Sequence, residues 1–187
     1  MRLYTFWLQI ERLREEKISG AFAEVGVYKG ETARMIHAMD PSRRFHLFDT
    51  FEGFAQRDLE HEVPDIEKSN SVDFSDTSAE VATKFIDGNE NVLIHKGHFP
   101  GSVENLGEEA FAFVHLDADL YKPTIAALRY FYPKLQAGGV IIVHDFYNTW
   151  GGVKKAVEEF VATIPENAMP VADWQGSVLI VKNRTRL

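Results

Sequence analysis

Phe111 to Tyr121 reads FAFVHLDADLY. Six mostly apolar residues lead into two carboxylates at i and i+2. A continuous apolar run of this length suits a strand buried on both faces, as in a parallel sheet. Side chains two apart on a strand point the same way, so Asp117 and Asp119 are predicted to leave its carboxyl end side by side. Open α/β sheets bind their ligands at those ends. Val140 to Phe146, VIIVHDF, has the same build and ends in His144 and Asp145. Two buried strands delivering Asp117, Asp119, His144 and Asp145 to one sheet edge predict a site for a cation, for proton transfer, or for both.

Upstream, Ala21 to Val27 (AFAEVGV) reads as a first strand running through Tyr28-Lys29-Gly30-Glu31-Thr32 into a helix over 32–39. Strand, glycine loop and helix together can cradle a nucleotide-like ligand, because glycine lets the backbone approach and the helix start offers unpaired N–H groups. The pattern is E-x-G-x-x-x-G (Glu24, Gly26, Gly30), not G-x-G-x-x-G. An acidic residue ahead of the loop suits a ligand that carries an ammonium. Arg43 to Asp49 is the second strand. Asp49 lies 19 residues past Gly30, where an acidic residue accepts from ribose hydroxyls. An Asp there can equally cap the next turn.

Residues 3–17 carry Leu3, Phe6, Trp7, Ile10 and Leu13 at helical spacing. Residues 55–76 are polar and lack periodicity, which predicts a mobile lid over the site or a surface insertion. Thr77-Ser78-Ala79-Glu80 is a capping box opening a helix to Ile86. A third strand covers 91–96, and His98 in the loop behind it either faces the ligand or, as is commoner for such a histidine, is simply exposed. Pro123 belongs in the first turn of a helix over 124–135. Gly138-Gly139 would close that helix and admit the fifth strand, 140–143. Phe146, Tyr147 and Trp150 fit stacking on a sugar ring or ordinary packing. A helix over 153–163 and a hairpin of 168–174 with 177–182, turning at Gln175-Gly176, complete the chain. The expectation is one α/β domain over 1–187, doubly wound and Rossmann-like, with antiparallel strands at one edge.

The chain has 187 residues, 45% of them hydrophobic, enough for one sizeable core. Its net charge of −8 argues against nucleic acid as a partner. The lack of cysteine excludes disulfides and thiolate metal sites. No apolar run reaches the ~20 residues of a membrane span, and charges interrupt any signal-peptide core. A cytoplasmic protein without a membrane partner is expected.

The stretches AEVGVYKGET, FDTFEGF, DFSDTSAEV, KGHFPGSV, HLDADLYKPT, LQAGGVIIVHDFY and WGGVKKAVEEF span residues 23–160. Together they resemble the class I S-adenosylmethionine-dependent methyltransferases, and within them the macrocin O-methyltransferase (TylF-type) family, which methylates sugar hydroxyls on natural products. The resemblance implies strand order 3-2-1-4-5-7-6 in a mostly parallel sheet of seven. It implies S-adenosyl-L-methionine as cofactor, with Glu24, Gly26 and Gly30 on its methionine part and Asp49 on its ribose. Val27, Thr32, Thr50, Gly97 and Asp117 complete the implied cofactor set. Asp117 and Asp145 would ligate a divalent metal, usually magnesium, and Asp119 would take the proton from the acceptor hydroxyl.

His144 stands where the family usually has Asp. Imidazole suits zinc, iron, nickel or copper better than magnesium, so the metal stays open. His144 is itself a third metal ligand or an alternative base. The chain begins close to its first strand, where family members often carry longer N-terminal elements, so the hydroxyl acceptor and a homodimer stay open as well. Two other readings remain: a metal-dependent glycosyltransferase using D-x-D, and a non-catalytic binding module.

Overall fold

The computed structural model describes residues 2–60, 62, 73–104, 106–147, 151–174 and 176–184. Five strands run parallel: β1 (Ala21–Val25), β2 (Phe45–Asp49), β3 (Val92–Lys96), β4 (Phe111–Leu116) and β5 (Leu135–Val143). Two short strands, β6 (Met169–Pro170) and β7 (Val178–Val181), add antiparallel at one edge. The order is β3-β2-β1-β4-β5-β7-β6, as expected.

The sheet is covered on both faces, which is why its central strands read as unbroken apolar runs. Helices α1 (Arg2–Glu15), α2 (Glu31–Met39) and α4 (Ala79–Ile86) pack on one face, over Phe22, Phe45, Phe113 and Ile142. Helices α5 (Tyr121–Lys134) and α6 (Gly151–Val161) pack on the other, over Phe111, Val114, Ile141 and Val143. Neighbours such as Phe113 and Val114 thus serve opposite layers, as the two-residue strand period requires. A short helix, α3 (Gln56–Leu59), lies inside the segment expected to be a lid or a surface insertion. No helix among the described residues is long and apolar enough to cross a membrane.

Three boundaries differ from expectation for local reasons. Helix α5 stops at Lys134 and passes directly into β5, because Lys182 Nζ donates to the carbonyls of Tyr132, Pro133 and Leu135 and ends the helix there. Gly138 and Gly139 then lie inside β5, at a bulge between the pairs Phe111–Leu135 and Phe113–Val140. Ser78, not Thr77, caps α4, accepting from Val81 N at 3.2 Å. The expected hairpin shrinks to two paired residues on β6, and Gln175 lies outside the described residues.

On the β2–β3 edge, His46 Nδ1 meets His95 Nε2 at 2.9 Å. Burial, then the neighbouring His95 and Arg44, push His46 down to about 4, and burial also lowers His95. Burial prevails although Glu109 lies 3.3 Å from His46 Nε2. The folded protein therefore binds fewer protons than the unfolded chain between about pH 6.5 and about pH 4. This stability is complete above the unfolded value and is lost as the pH falls through that window. Urea midpoints should drop across it, and His46→Phe should flatten the drop; an unchanged slope would contradict this account.

Candidate functional site

A cavity of about 310 Å³ opens at the carboxyl ends of β1, β2, β4 and β5, within the size range of small-ligand sites. Its floor is set by one close approach. Gly26 has φ of +89°, and a Cβ there would lie 1.9 Å from the Asp117 carbonyl oxygen, so no other residue fits. Gly30 does not reach the cavity. It starts α2 with φ of +87° and leaves room for Ile86, whose Cγ1 would sit 2.7 Å from a Cβ.

Asp49, at the end of β2, holds the glycine loop. Its Oδ2 accepts from Val27 N at 2.6 Å and Tyr28 N at 2.8 Å, and its Oδ1 accepts from Phe51 N at 2.7 Å. It therefore caps its own turn and also anchors the loop of the neighbouring strand, while still lining the cavity. Val27, Thr32, Thr50 and Gly97 line it too.

Glu24 departs from its expected place. It lies within β1, fully buried, opposite His115 of β4, and Oε1 meets His115 Nδ1 at 2.8 Å. Burial raises its pKa, against the pull of His115. The carboxyl faces the interior of the sheet layer rather than the cavity, so Glu24 supports β1 against β4 and is not a wall of the site.

Asp117, Asp119, His144 and Asp145 all line the cavity. Strand alternation does not carry the first two there, since β4 ends at Leu116. Asp119 sits at φ of +59°, and so does Asp145, both in the left-handed region that Asp tolerates. His144 Nδ1 lies 2.7 Å from Asp117 Oδ1 and 3.0 Å from Asp145 Oδ2. Burial opposes its charge, but the two carboxylates outweigh it and raise His144 to about 9. Asp117 and Asp145 are both lowered, since the charge on His144 overrides their own burial. Asp119 is raised well above the usual range by burial first, then by Asp117 and by its hydrogen bond to Asp145.

Asp117, His144 and Asp145 each offer a ligand atom, all within 4.8 Å of one another. Two carboxylate oxygens and one imidazole nitrogen at this spacing fit a divalent cation of borderline softness, with the proton on Nδ1 displaced.

Several further residues complete the walls and the rim. Arg2, from α1, reaches Asp117 Oδ2 at 3.3 Å and Thr32 Oγ1 at 3.4 Å. His98 lines the cavity, the less common of its two expected places, and bonds buried Asp58 of α3 at 2.6 Å. Phe54 and Phe74 pack edge to face, and Phe74 does the same on Tyr28. Asp76 accepts from Tyr28 Oη at 2.5 Å and Lys29 Nζ at 2.6 Å. Glu62 Oε1 accepts from Tyr121 N at 2.6 Å, and its Oε2 occupies the space a Cβ on Gly152 would need. One carboxylate thus sits at the starts of both α5 and α6, where helix dipoles favour it. Both described ends of the 55–76 segment rest on the cavity rim, while residues 61 and 63–72 lie outside the described residues. Phe146 is buried among core residues, Tyr147 is exposed, neither lines the cavity, and Trp150 lies outside the described residues.

The sequence profile of the macrocin-O-methyltransferase (TylF) family matches residues 1–178. The 8-demethyl-8-(2,3-dimethoxy-α-L-rhamnosyl)-tetracenomycin-C 4′-O-methyltransferase of Streptomyces olivaceus is 26% identical over 151 residues, 73% of this chain and 57% of that protein. The chain thus spans little more than half the length of that relative. The solved structure of the O-methyltransferase NovP matches with a TM-score of 0.82 at 22% identity, covering 98% of this chain and 80% of that one. An O-methyltransferase from Bacillus cereus in complex with SAH matches at 0.65 and 13% identity, covering 96% and 81%. At these identities the two solved structures establish a shared fold.

Asp49→Ala removes the partner of three backbone N–H groups. The variant should lose roughly 3 kcal/mol of unfolding free energy, since a buried donor stripped of a charged acceptor costs about 1–3 kcal/mol and the three are partly exposed. Urea denaturation measures it, and a loss within experimental error would remove Asp49 as the loop anchor.

Proposed function

The chain belongs to the macrocin-O-methyltransferase (TylF) family, and from that premise we propose that it methylates a hydroxyl of a sugar or small natural product with S-adenosylmethionine. The observation that carries this reading is the junction of the Gly26 loop with the Asp117–Asp145 cluster in one cavity. The glycosyl-transfer reading of D-x-D falls with the family membership. The sugar is suggested by the rhamnosyl substrate in the name of the Streptomyces olivaceus relative.

The cofactor fits the walls that are present. Gly26 presents bare backbone on the cavity wall, and Asp49 offers acceptor oxygens at the end of β2. Bound there, it supplies a methyl group on a positively charged sulfur. Asp117 is the half-buried carboxylate beside the glycine loop and suits an ammonium.

Asp119 is the proton acceptor in this reading. Both it and His144 line the cavity, but two carboxylates hold a proton on His144 unless a cation displaces it. Removing a sugar hydroxyl's proton at neutral pH needs such a carboxylate within about 3 Å. A cation held by Asp117, His144 and Asp145 would stabilise the developing alkoxide. The 55–76 segment would cover the cofactor and shape the acceptor pocket with Phe54 and Phe74.

Calorimetry with S-adenosylhomocysteine tests the cofactor; no binding at millimolar concentration would end the proposal. Asp119→Asn should keep that binding and lower kcat on an accepted sugar hydroxyl by about 10²-fold or more, and an unchanged kcat would remove Asp119 from the base role. For the metal, His144→Ala should weaken binding of added divalent cations to chelator-treated protein by about tenfold or more, read by calorimetry. Equal affinity in both proteins would show that the cluster holds no cation through His144.

A further inference from the structure

We propose that Arg2 recognises the carboxylate of the cofactor's methionine group, and that it does so by exchanging its contact with Asp117. This rests on the cofactor assigned above and goes beyond it by naming a residue outside every stretch that carries the family pattern.

Among the described residues, the basic side chains that line the cavity are Arg2, Lys29, His98 and His144. Lys29 is bonded to Asp76, His98 to Asp58, and His144 lies between Asp117 and Asp145. Arg2 differs in the length of its contacts. It reaches Asp117 at 3.3 Å and the Thr32 hydroxyl at 3.4 Å, both at the long end of hydrogen bonding. A guanidinium has five donors in a planar fork, matched to a carboxylate and poorly used by two long contacts.

The partners of Arg2 describe the ligand that would sit there. Asp117 is an anion that accepts an ammonium. Thr32 lies in the first turn of α2, where backbone N–H groups lack partners within the helix and the dipole favours an anion. An amino acid zwitterion carries both charges on one carbon. Its ammonium can take over Asp117 Oδ2 while the released guanidinium pairs with its carboxylate beside Thr32. No charge is left unpaired in a half-buried place, before or after. Glu31, also on the cavity wall, would repel an incoming carboxylate, so a cation is needed there.

Calorimetry compares S-adenosylhomocysteine with its decarboxylated analogue, 5′-deoxy-5′-(3-aminopropylthio)adenosine, which keeps the ammonium. Arg2→Met should weaken S-adenosylhomocysteine by about tenfold or more and leave the analogue within about twofold, and Arg2→Lys should recover part of the loss. Equal weakening of both ligands would mean that Arg2 only props α1 against the sheet, and no weakening of either would remove it from the site; both overturn the inference. Should Arg2→Met fail to fold, the wild type decides, since it should prefer S-adenosylhomocysteine to the analogue by about tenfold or more and equal affinities would overturn the inference. A wild type that binds neither ligand brings down the cofactor assignment itself, a result distinct from every Arg2 outcome.

Discussion

The site depends on how closely two backbones approach at the centre of the sheet. Asp117 N donates to Val25 O at 2.8 Å, and Gly26 N donates to Phe48 O at 3.0 Å. Those bonds bring the ends of β1, β2 and β4 to one level. At that level Gly26 lies under the Asp117 carbonyl with no space for a side chain. Asp49 then fixes the loop above it through Val27 and Tyr28. A cavity with a bare backbone floor and carboxylate walls follows directly from these contacts.

The carboxylates around that floor would repel one another without cations among them. His144 supplies one charge between Asp117 and Asp145, and Arg2 supplies another on the far oxygen of Asp117. Asp119 meets the repulsion differently: burial and Asp117 raise its pKa, and it is hydrogen-bonded to Asp145. Asp117 and Asp145 thus already have cationic partners. A zwitterionic ligand or a cation enters the cluster by replacing a charge that is already there, so binding rearranges partners rather than burying new charge.

The sheet was legible because burial on both faces leaves a plain mark, the apolar runs of β4 and β5. The clustering of Asp117, Asp119, His144 and Asp145 followed from those runs, although the two strands end before the acidic residues and left-handed turns do the final aiming. Glu24 was misplaced because E-x-G spacing does not say which way a strand residue faces. His115, a lone polar residue in FAFVHL at matching depth, was the available sign of a pair inside the sheet. Arg2 left no mark, since its partner Asp117 is 115 positions away. The contacts of His98 with Asp58 and of Phe54 with Phe74 were equally hidden, because loop residues meet through the packing of the whole domain rather than through a period.

Glu62 ties one described end of the 55–76 stretch to the scaffold, and Asp76 ties the other. The first post also quenches the starts of two helices, so lifting it exposes amide groups that then demand another anion. Exchanging this stretch between relatives would therefore preserve the fold only with donors that keep both carboxylate footings. A graft without the first would leave a positively polarised notch at the starts of α5 and α6.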